Sequence, residues 1–273
     1  MQKMKKRFLL KALTLTGCFS TGVIYGSLGV IALLSFLQLK KGGADESSFF
    51  VLLDNFLAGR ILTWLIILGA VCFVIWRFYE AFKDPYKVGN SAKGIMLRMG
   101  AIFSSVADAF IAFSALQALF SHQKASRTGE PVQQQKLVAG MLENDWGQAV
   151  VLVLGAVVLL TAVVLVFYGF SKRFTETIKA DDFSKGWKYT VHGLAYAGYL
   201  SRAVILGIIG FFFCKAAIEM NSLVVVNTDK AFDFIGDHVG PVYFILVAIG
   251  TICYGLYMFV LGVNYDIDAD IEG

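Results

Sequence analysis

Six stretches of this 273-residue chain are each long and apolar enough to cross a lipid bilayer: roughly residues 12–38, 57–82, 95–120, 147–171, 192–218 and 240–264. A hydrocarbon core about 30 Å thick takes about 20 mostly apolar residues as a helix. No water is present there to hydrogen-bond the backbone, so each spanning segment must satisfy its own amides and is predicted helical. Composition agrees, with 57% of residues hydrophobic and 16% charged, against about 25% charged in ordinary soluble domains. A surface so poor in charge belongs against lipid. The expected fold class is all-α integral membrane, a single membrane domain over residues 1–273 with six transmembrane helices. The net charge of +4 reads as membrane topology, not as nucleic-acid binding.

The chain opens like a signal peptide, with Lys3, Lys5, Lys6, Arg7 and Lys11. The apolar run then continues through Leu37, well past the about 7–15 residues of a signal core, and is read as an uncleaved first helix. Lys and Arg near helix ends set orientation. Thirteen fall on one side: Lys3, Lys5, Lys6, Arg7, Lys11, Lys83, Lys87, Lys93, Lys172, Arg173, Lys179, Lys185 and Lys188. Six fall on the other: Lys40, Lys41, Lys124, Arg127, Lys136 and Lys230. Both termini are therefore expected in the cytoplasm, with the protein multi-pass in the cell (inner) membrane. The acidic tail of Asp266, Asp268, Asp270 and Glu272 ends on the cytoplasmic side, but acidic residues weigh little in this rule. Trp64, Trp146 and Trp187 fall where an interfacial aromatic belt would. Trp76 lies deeper, beside Arg77, which is expected to snorkel to the cytoplasmic headgroups.

Internal repeats are sought next. A shift of 181 residues brings Gly17 onto Gly198, Gly26 onto Gly207, Gly29 onto Gly210, Gly59 onto Gly240 and Gly69 onto Gly250, with no gap. Gly100 matches Gly17 at a shift of 83, and Gly147 matches Gly59 at a shift of 88; the extra residues fall in the polar loop around Arg127–Gln135. The chain thus reads as three copies of one helical hairpin, about 8–87, 91–179 and 188–267. An even repeat unit leaves the copies parallel, related by an axis along the membrane normal, and a pseudo-threefold bundle is the simplest packing. Gly17, Gly26, Gly29, Gly198, Gly207 and Gly210 are expected to let helix backbones approach closely. In the outer loops, Phe49, Phe50, Leu52, Leu53 and Phe56, and again Ala231, Phe232, Phe234 and Ile235, have helical spacing. A short segment on the outer membrane surface is expected there.

The stretch Leu194-Ala-Tyr-Ala-Gly-Tyr-Leu-Ser-Arg-Ala-Val-Ile-Leu-Gly207 resembles the opening helix of the bacterial membrane family called domain of unknown function 1206. So does Leu15-Thr-Gly-Cys-Phe-Ser-Thr-Gly-Val-Ile-Tyr-Gly26. In that family a helical pair recurs three times, each opening near G-x-x-A-R-G-x-x-Y-x-x-x-G and closing near an aromatic-Arg, which Trp76-Arg77 matches. The arginine of the pattern is present only in the third copy, as Arg202; Thr21 and Ser104 stand there in the others. The resemblance covers nearly the whole chain and implies a topology, with no established activity.

Ionisable residues deep in a membrane are functional candidates by default. Two stand out, Asp108 near the middle of the third span and Arg202 inside the fifth. In the repeat frame they lie four residues apart on one helix face, about 6 Å apart in depth. One polar stripe per opening helix follows: Thr21 and Tyr25, Ser104 and Asp108, and Arg202. It would line a pathway, bind an anionic headgroup or small solute, or hold a structural Asp108–Arg202 pair. Lys215 and Glu219 read as a local ion pair.

No nucleophile elbow or phosphate loop is present. Tyr25, Tyr196, Tyr199 and Tyr254 supply hydroxyls without a paired acid and base. Cys18, Cys72, Cys214 and Cys253 lie in apolar segments without Cys-x-x-Cys spacing, and His122, His192 and His238 fall in different hairpins. No catalytic residue, metal or cofactor is expected, and the chain is read as a non-enzyme. Two functional classes fit: an accessory or structural protein binding the lipid bilayer or another membrane subunit, or alternatively a small-solute or ion transporter using the inner stripe. The proline signature of mitochondrial carriers, which also have three two-helix repeats, is missing. Pro241 sits at a first helical turn, where it is tolerated.

Overall fold

The computed structural model describes residues 2–37, 53, 57–83, 131–170 and 184–265. The third predicted span, with Ser104 and Asp108, lies outside them. The described residues form seven α-helices: α1 Gln2–Phe36, α2 Leu57–Lys83, α3 Val132–Leu142, α4 Gly147–Phe170, α5 Lys185–Ile218, α6 Thr228–Phe234 and α7 Pro241–Asn264. Five of these, α1, α2, α4, α5 and α7, are long and apolar enough to cross a membrane, and each contains a stretch read from the sequence. The helix α5 starts seven residues before its predicted apolar span, where the Ser184 hydroxyl accepts a hydrogen bond from Trp187 N at 3.4 Å. The helix α7 opens on Pro241 at its first position, where the missing amide hydrogen is not needed.

The outer surface of the helices is apolar. On α2, Leu57, Ile61, Trp64, Leu65, Leu68 and Ile75 are exposed while Thr63, Ile66, Ala70 and Phe73 are buried. Each large side chain left in water would forfeit about 1.5–3 kcal/mol; in lipid it forfeits nothing. The helix α4 has no charged residue along its 24 residues. Buried hydroxyls turn inward onto their own helices: Thr63 donates to Gly59 O at 3.0 Å, Thr161 to Val157 O at 2.9 Å and Thr251 to Val247 O at 2.8 Å. This is the pattern of a multi-pass membrane protein, in which every polar group must be satisfied internally.

The helices pack in the order α2–α1–α7–α5–α4, and the glycines set the distances. Within a hairpin, a Cβ on Gly17 would come 2.6 Å from Phe73 Cβ, and one on Gly198 would come 2.6 Å from Tyr254 Cα. A Cβ on Gly69 would overlap Ser20 Oγ, and one on Gly250 would overlap Ser201 Oγ. Each pair maps onto the other by the 181-residue shift. Between hairpins the same holds. A Cβ on Gly29 of α1 would come 2.7 Å from Ala248 O and 2.9 Å from Ile252 N on α7, and one on Gly210 of α5 would come 3.0 Å from Gly155 O and 2.8 Å from Leu159 N on α4. Ala248 and Ile252 correspond to Gly155 and Leu159 in the repeat frame, so the seam α1–α7 and the seam α5–α4 are built alike. Gly26 differs: a Cβ there meets nothing within 4 Å. Gly29→Ala and Gly210→Ala should each cost about 1–3 kcal/mol and by similar amounts, with Gly26→Ala near neutral, in thermal unfolding of the detergent-solubilised protein.

The turns into the second helices split into two solutions. In the first two copies a glycine packs on a carbonyl six residues back, since a Cβ on Gly59 would overlap Leu53 O and one on Gly147 would overlap Met141 O. In the third, Gly240 adopts φ +123° in open space, following a π-helical turn at Ile235–Val239.

The end of the bundle where α5 terminates carries a second, small apolar cluster of Val138, Val151, Ala216, Ala217 and Val225. Gln135 Nε2 donates to Leu223 O at 3.0 Å and Gln148 Nε2 to Ala217 O at 3.1 Å, tying α3 and α4 to the end of α5. The short helix α6 is capped by Asn227, whose Oδ1 accepts from Lys230 N at 3.0 Å. The helical spacing of Ala231, Phe232, Phe234 and Ile235 is correct, but the expected placement of that apolar face on the membrane surface is not. Ala231, Phe232 and Ile235 are buried against the bundle, with Phe232 5.4 Å from Phe244 and Phe234 5.4 Å from Phe212. Rings of the neighbouring helices α5 and α7 offer closer packing than disordered lipid would. Of the corresponding stretch in the first copy, Leu53 is described and buried; Phe49, Phe50, Leu52 and Phe56 lie outside the described residues.

Candidate functional site

Arg202 sits half-way along α5 and is 3% exposed. Its Nη1 donates a hydrogen bond to the Tyr254 hydroxyl. Its Cζ lies 4.7 Å from the Tyr25 ring centroid and 5.0 Å from that of Tyr254. Carrying a guanidinium to the centre of a bilayer would cost about 2.5–3.5 kcal/mol on an insertion scale, and two ring faces with a hydroxyl acceptor offset part of the cost of burying one within a span. The rings themselves interlock edge to face. Tyr25 is 5.1 Å from Tyr254, Tyr199 is 5.5 Å from both Tyr254 and Tyr257, and Tyr168 is 4.9 Å from Tyr199. Four helices, α1, α4, α5 and α7, contribute to this aromatic centre.

Arg77 forms a second, matching unit. Its Cζ lies 4.8 Å from the Phe73 ring centroid. Snorkelling to the headgroups, expected from the sequence, is therefore not what this side chain does. Helical side chains lean toward the N-terminus of their helix, which carries Arg77 back over Phe73, one turn deeper. Phe73 and Tyr254 are the repeat counterparts that face Gly17 and Gly198. Each has a guanidinium over its ring, delivered by α2 in one copy and by α5 in the other.

The family described as Domain of Unknown Function (DUF1206) matches this chain over residues 16–84, 99–172 and 197–264. The chain belongs to this family. The three DUF1206 segments start at 16, 99 and 197, the same shifts of 83 and 181 that bring Gly17 onto Gly100 and Gly198. A relative from Bacillus subtilis (strain 168), "Uncharacterized protein YxxB", is 27% identical over 248 residues, covering 90% of this chain and 88% of the relative. No solved structure matches the chain. The DUF1206 description names no activity.

Of the residues singled out in the sequence, the structure brings together Tyr25 and Arg202, and adds Tyr199 and Tyr254. Thr21 is buried at the repeat position of Arg202. Ser104 and Asp108 lie outside the described residues. Tyr196 is not in the centre; it is exposed and packs edge to face on Phe170 at 5.3 Å. Sequence reasoning missed Tyr168 and Tyr257 and the turn of Arg77 toward the interior. One signal was available: Tyr254 and Tyr257 share a helix face with Met258 and Leu261, and Tyr254 is the 181-residue counterpart of Phe73. Lys215 and Glu219 do pair, at 3.8 Å. Among the described residues no three His, Cys, Asp or Glu side chains converge, and the four cysteines are free thiols.

The centre has cation, ring faces and phenol hydroxyls packed into one buried layer. Tyr254→Phe removes the acceptor from a buried charged donor and should lower stability by about 1.5–3 kcal/mol. Tyr196→Phe should leave it unchanged in the same detergent melting experiment.

Proposed function

We propose that this DUF1206 protein is an accessory bundle of the cytoplasmic membrane, without enzymatic activity of its own, that works by holding lipid or a partner membrane subunit. The observation that carries this reading is the filled centre. Arg202, Tyr199, Tyr254 and Tyr257 are all buried to within 3% of full enclosure, which favours a packed seam over a solute path. The proposed architecture is six helices in three parallel hairpins, about 8–87, 91–179 and 188–267, round a pseudo-threefold axis. The two equivalent seams support it: the operation that carries the α4–α5 seam onto the α7–α1 seam moves each hairpin to the next. The thirteen-to-six bias of basic residues supports cytoplasmic termini.

Gentle solubilisation after chemical cross-linking should return a stable membrane partner or tightly held lipid. A monomer stripped of both overturns the reading. Orientation is tested by Ser184→Cys and Asn144→Cys, labelled with a membrane-impermeant thiol reagent on intact cells; only Asn144→Cys should react. A second reading, transport of a small solute or ion, draws on the guanidinium at mid-depth and on Asp108, the repeat counterpart of Tyr25. Flux in proteoliposomes that vanishes with Asp108→Ala would install it instead.

A further inference from the structure

The two hairpin-opening helices whose full length is described are longer than a membrane requires. The helix α5 has 34 residues, about 51 Å at 1.5 Å per residue, while the hydrocarbon core is about 30 Å thick. Lys215 and Glu219, both substantially exposed, mark one interface. Counting about 20 residues back from Lys215 reaches Ala195. The first turns of α5 therefore stand outside the hydrocarbon, still helical. They carry Lys185, Trp187, Lys188 and Tyr189; Lys185, Trp187 and Tyr189 are exposed, the last 77%, and Lys188 is half-buried. The helix α1, 35 residues long, overhangs at the same end, since both helices open hairpins of one direction. Its first turns hold Lys3, Lys5, Lys6, Arg7 and, exposed, Lys11. In the repeat frame Arg7 and Lys188 are the same position. Both helices pack against α7, so the two overhangs flank one helix end.

Their charge runs against what a helix start favours. The positive end of the helix dipole attracts acids, yet neither helix has an acid in its first turn. Two ion pairs of the described residues, Lys215–Glu219 and Lys230–Asp233, lie at the opposite end of the bundle. On α5, Lys185 and Lys188 with Trp187 and Tyr189 between and beside them, on helical turns beyond the hydrocarbon, complement an anionic membrane surface.

We propose that the α1 and α5 overhangs form a binding surface for anionic phospholipid headgroups, flanking the end of α7. It deepens the lipid-holding role proposed above, but it rests only on the chain being inserted in a bilayer. The acidic residues Asp266, Asp268, Asp270 and Glu272, which follow α7 in the chain, are the competing occupant.

The test is native mass spectrometry of the full-length protein offered equal amounts of phosphatidylglycerol and phosphatidylcholine. Phosphatidylglycerol should be retained preferentially. Lys185→Gln and Lys188→Gln should each weaken that preference about fivefold. Lys185→Arg with Lys188→Arg should keep it, and Lys215→Gln, at the far end, should leave it unchanged. Equal retention of the two lipids overturns the proposal. So does a preference that survives both glutamines, or one that emerges only after residues 266–273 are removed. A partner recovered by cross-linking alongside equal lipid retention would sink this surface and leave the accessory role standing.

Discussion

Gly147→Ala should leave no stably folded protein in the membrane fraction, and Gly59→Ala should match it. In both, the added Cβ would overlap a backbone carbonyl, that of Met141 or of Leu53. A backbone oxygen cannot rotate away as a side chain can. Relief requires moving the start of α4 or α2 bodily, which uncouples it from the helix it packs on; losses above about 4 kcal/mol belong to this kind of conflict. Two further glycines calibrate the expectation. Gly240→Ala meets no atom, but holds an L-residue at φ +123° and should cost about 1–3 kcal/mol for backbone strain alone. Gly140→Ala, inside α3 with nothing within 4 Å, should be neutral or gain up to about 1 kcal/mol of helix propensity. Folded yield and melting temperature in one detergent rank the four. Equal tolerance at Gly147 and Gly140 would refute the account of the turn.

Arg202→Gln should cost about 3–5 kcal/mol where the guanidinium balances a carboxylate, the pairing with Asp108 that the sequence offers as one alternative. Asp108 and Glu80, the latter near the end of the second, are the two acids within the six apolar stretches of the sequence. The repeat frame gives Asp108 the position of Tyr25, whose ring lies against Arg202. Asp108→Asn should therefore recover a large part of what Arg202→Gln loses. Because Arg77 over Phe73 repeats the arrangement of Arg202 over Tyr254, the same cycle run with Arg77→Gln decides which guanidinium the carboxylate serves. Coupling of 1 kcal/mol or more with either supports one inner polar layer. Independent losses in both cycles would dismiss the pairing and leave each arginine held by rings alone.

The repeat was legible because close backbone approach leaves one residue no substitute. Gly17, Gly29, Gly69 and their counterparts 181 residues later each face atoms that a Cβ would strike, so the glycine spacing is a direct print of the contacts. Five of the spans, those on the described residues, were legible from length and apolarity, which lipid enforces. What the sequence hid was orientation about each helix axis. Tyr196 and Tyr199 lie three residues apart, yet one faces outward and the other lies in the centre; a hydroxyl in an apolar run gives no sign of which. Arg77 was misread for a related reason. Its position near a helix end invites snorkelling, but side-chain lean and the Phe73 ring pull it inward. The outer helix α6 was misread because an apolar face at a membrane border suits lipid and a neighbouring bundle equally, and only Phe212 and Phe244 decide between them.

The contact between α1 and α7 joins the beginning of the chain to its end. Since membrane helices enter the bilayer in the order of their synthesis, α1 must wait with its glycine face uncovered until the last hairpin leaves the ribosome. A chain stopped short, or delayed by a fusion at its C-terminus, would present that face to the quality-control proteases of the membrane. The same adjacency means that a chain permuted between two hairpins would keep the contact of α1 with α7.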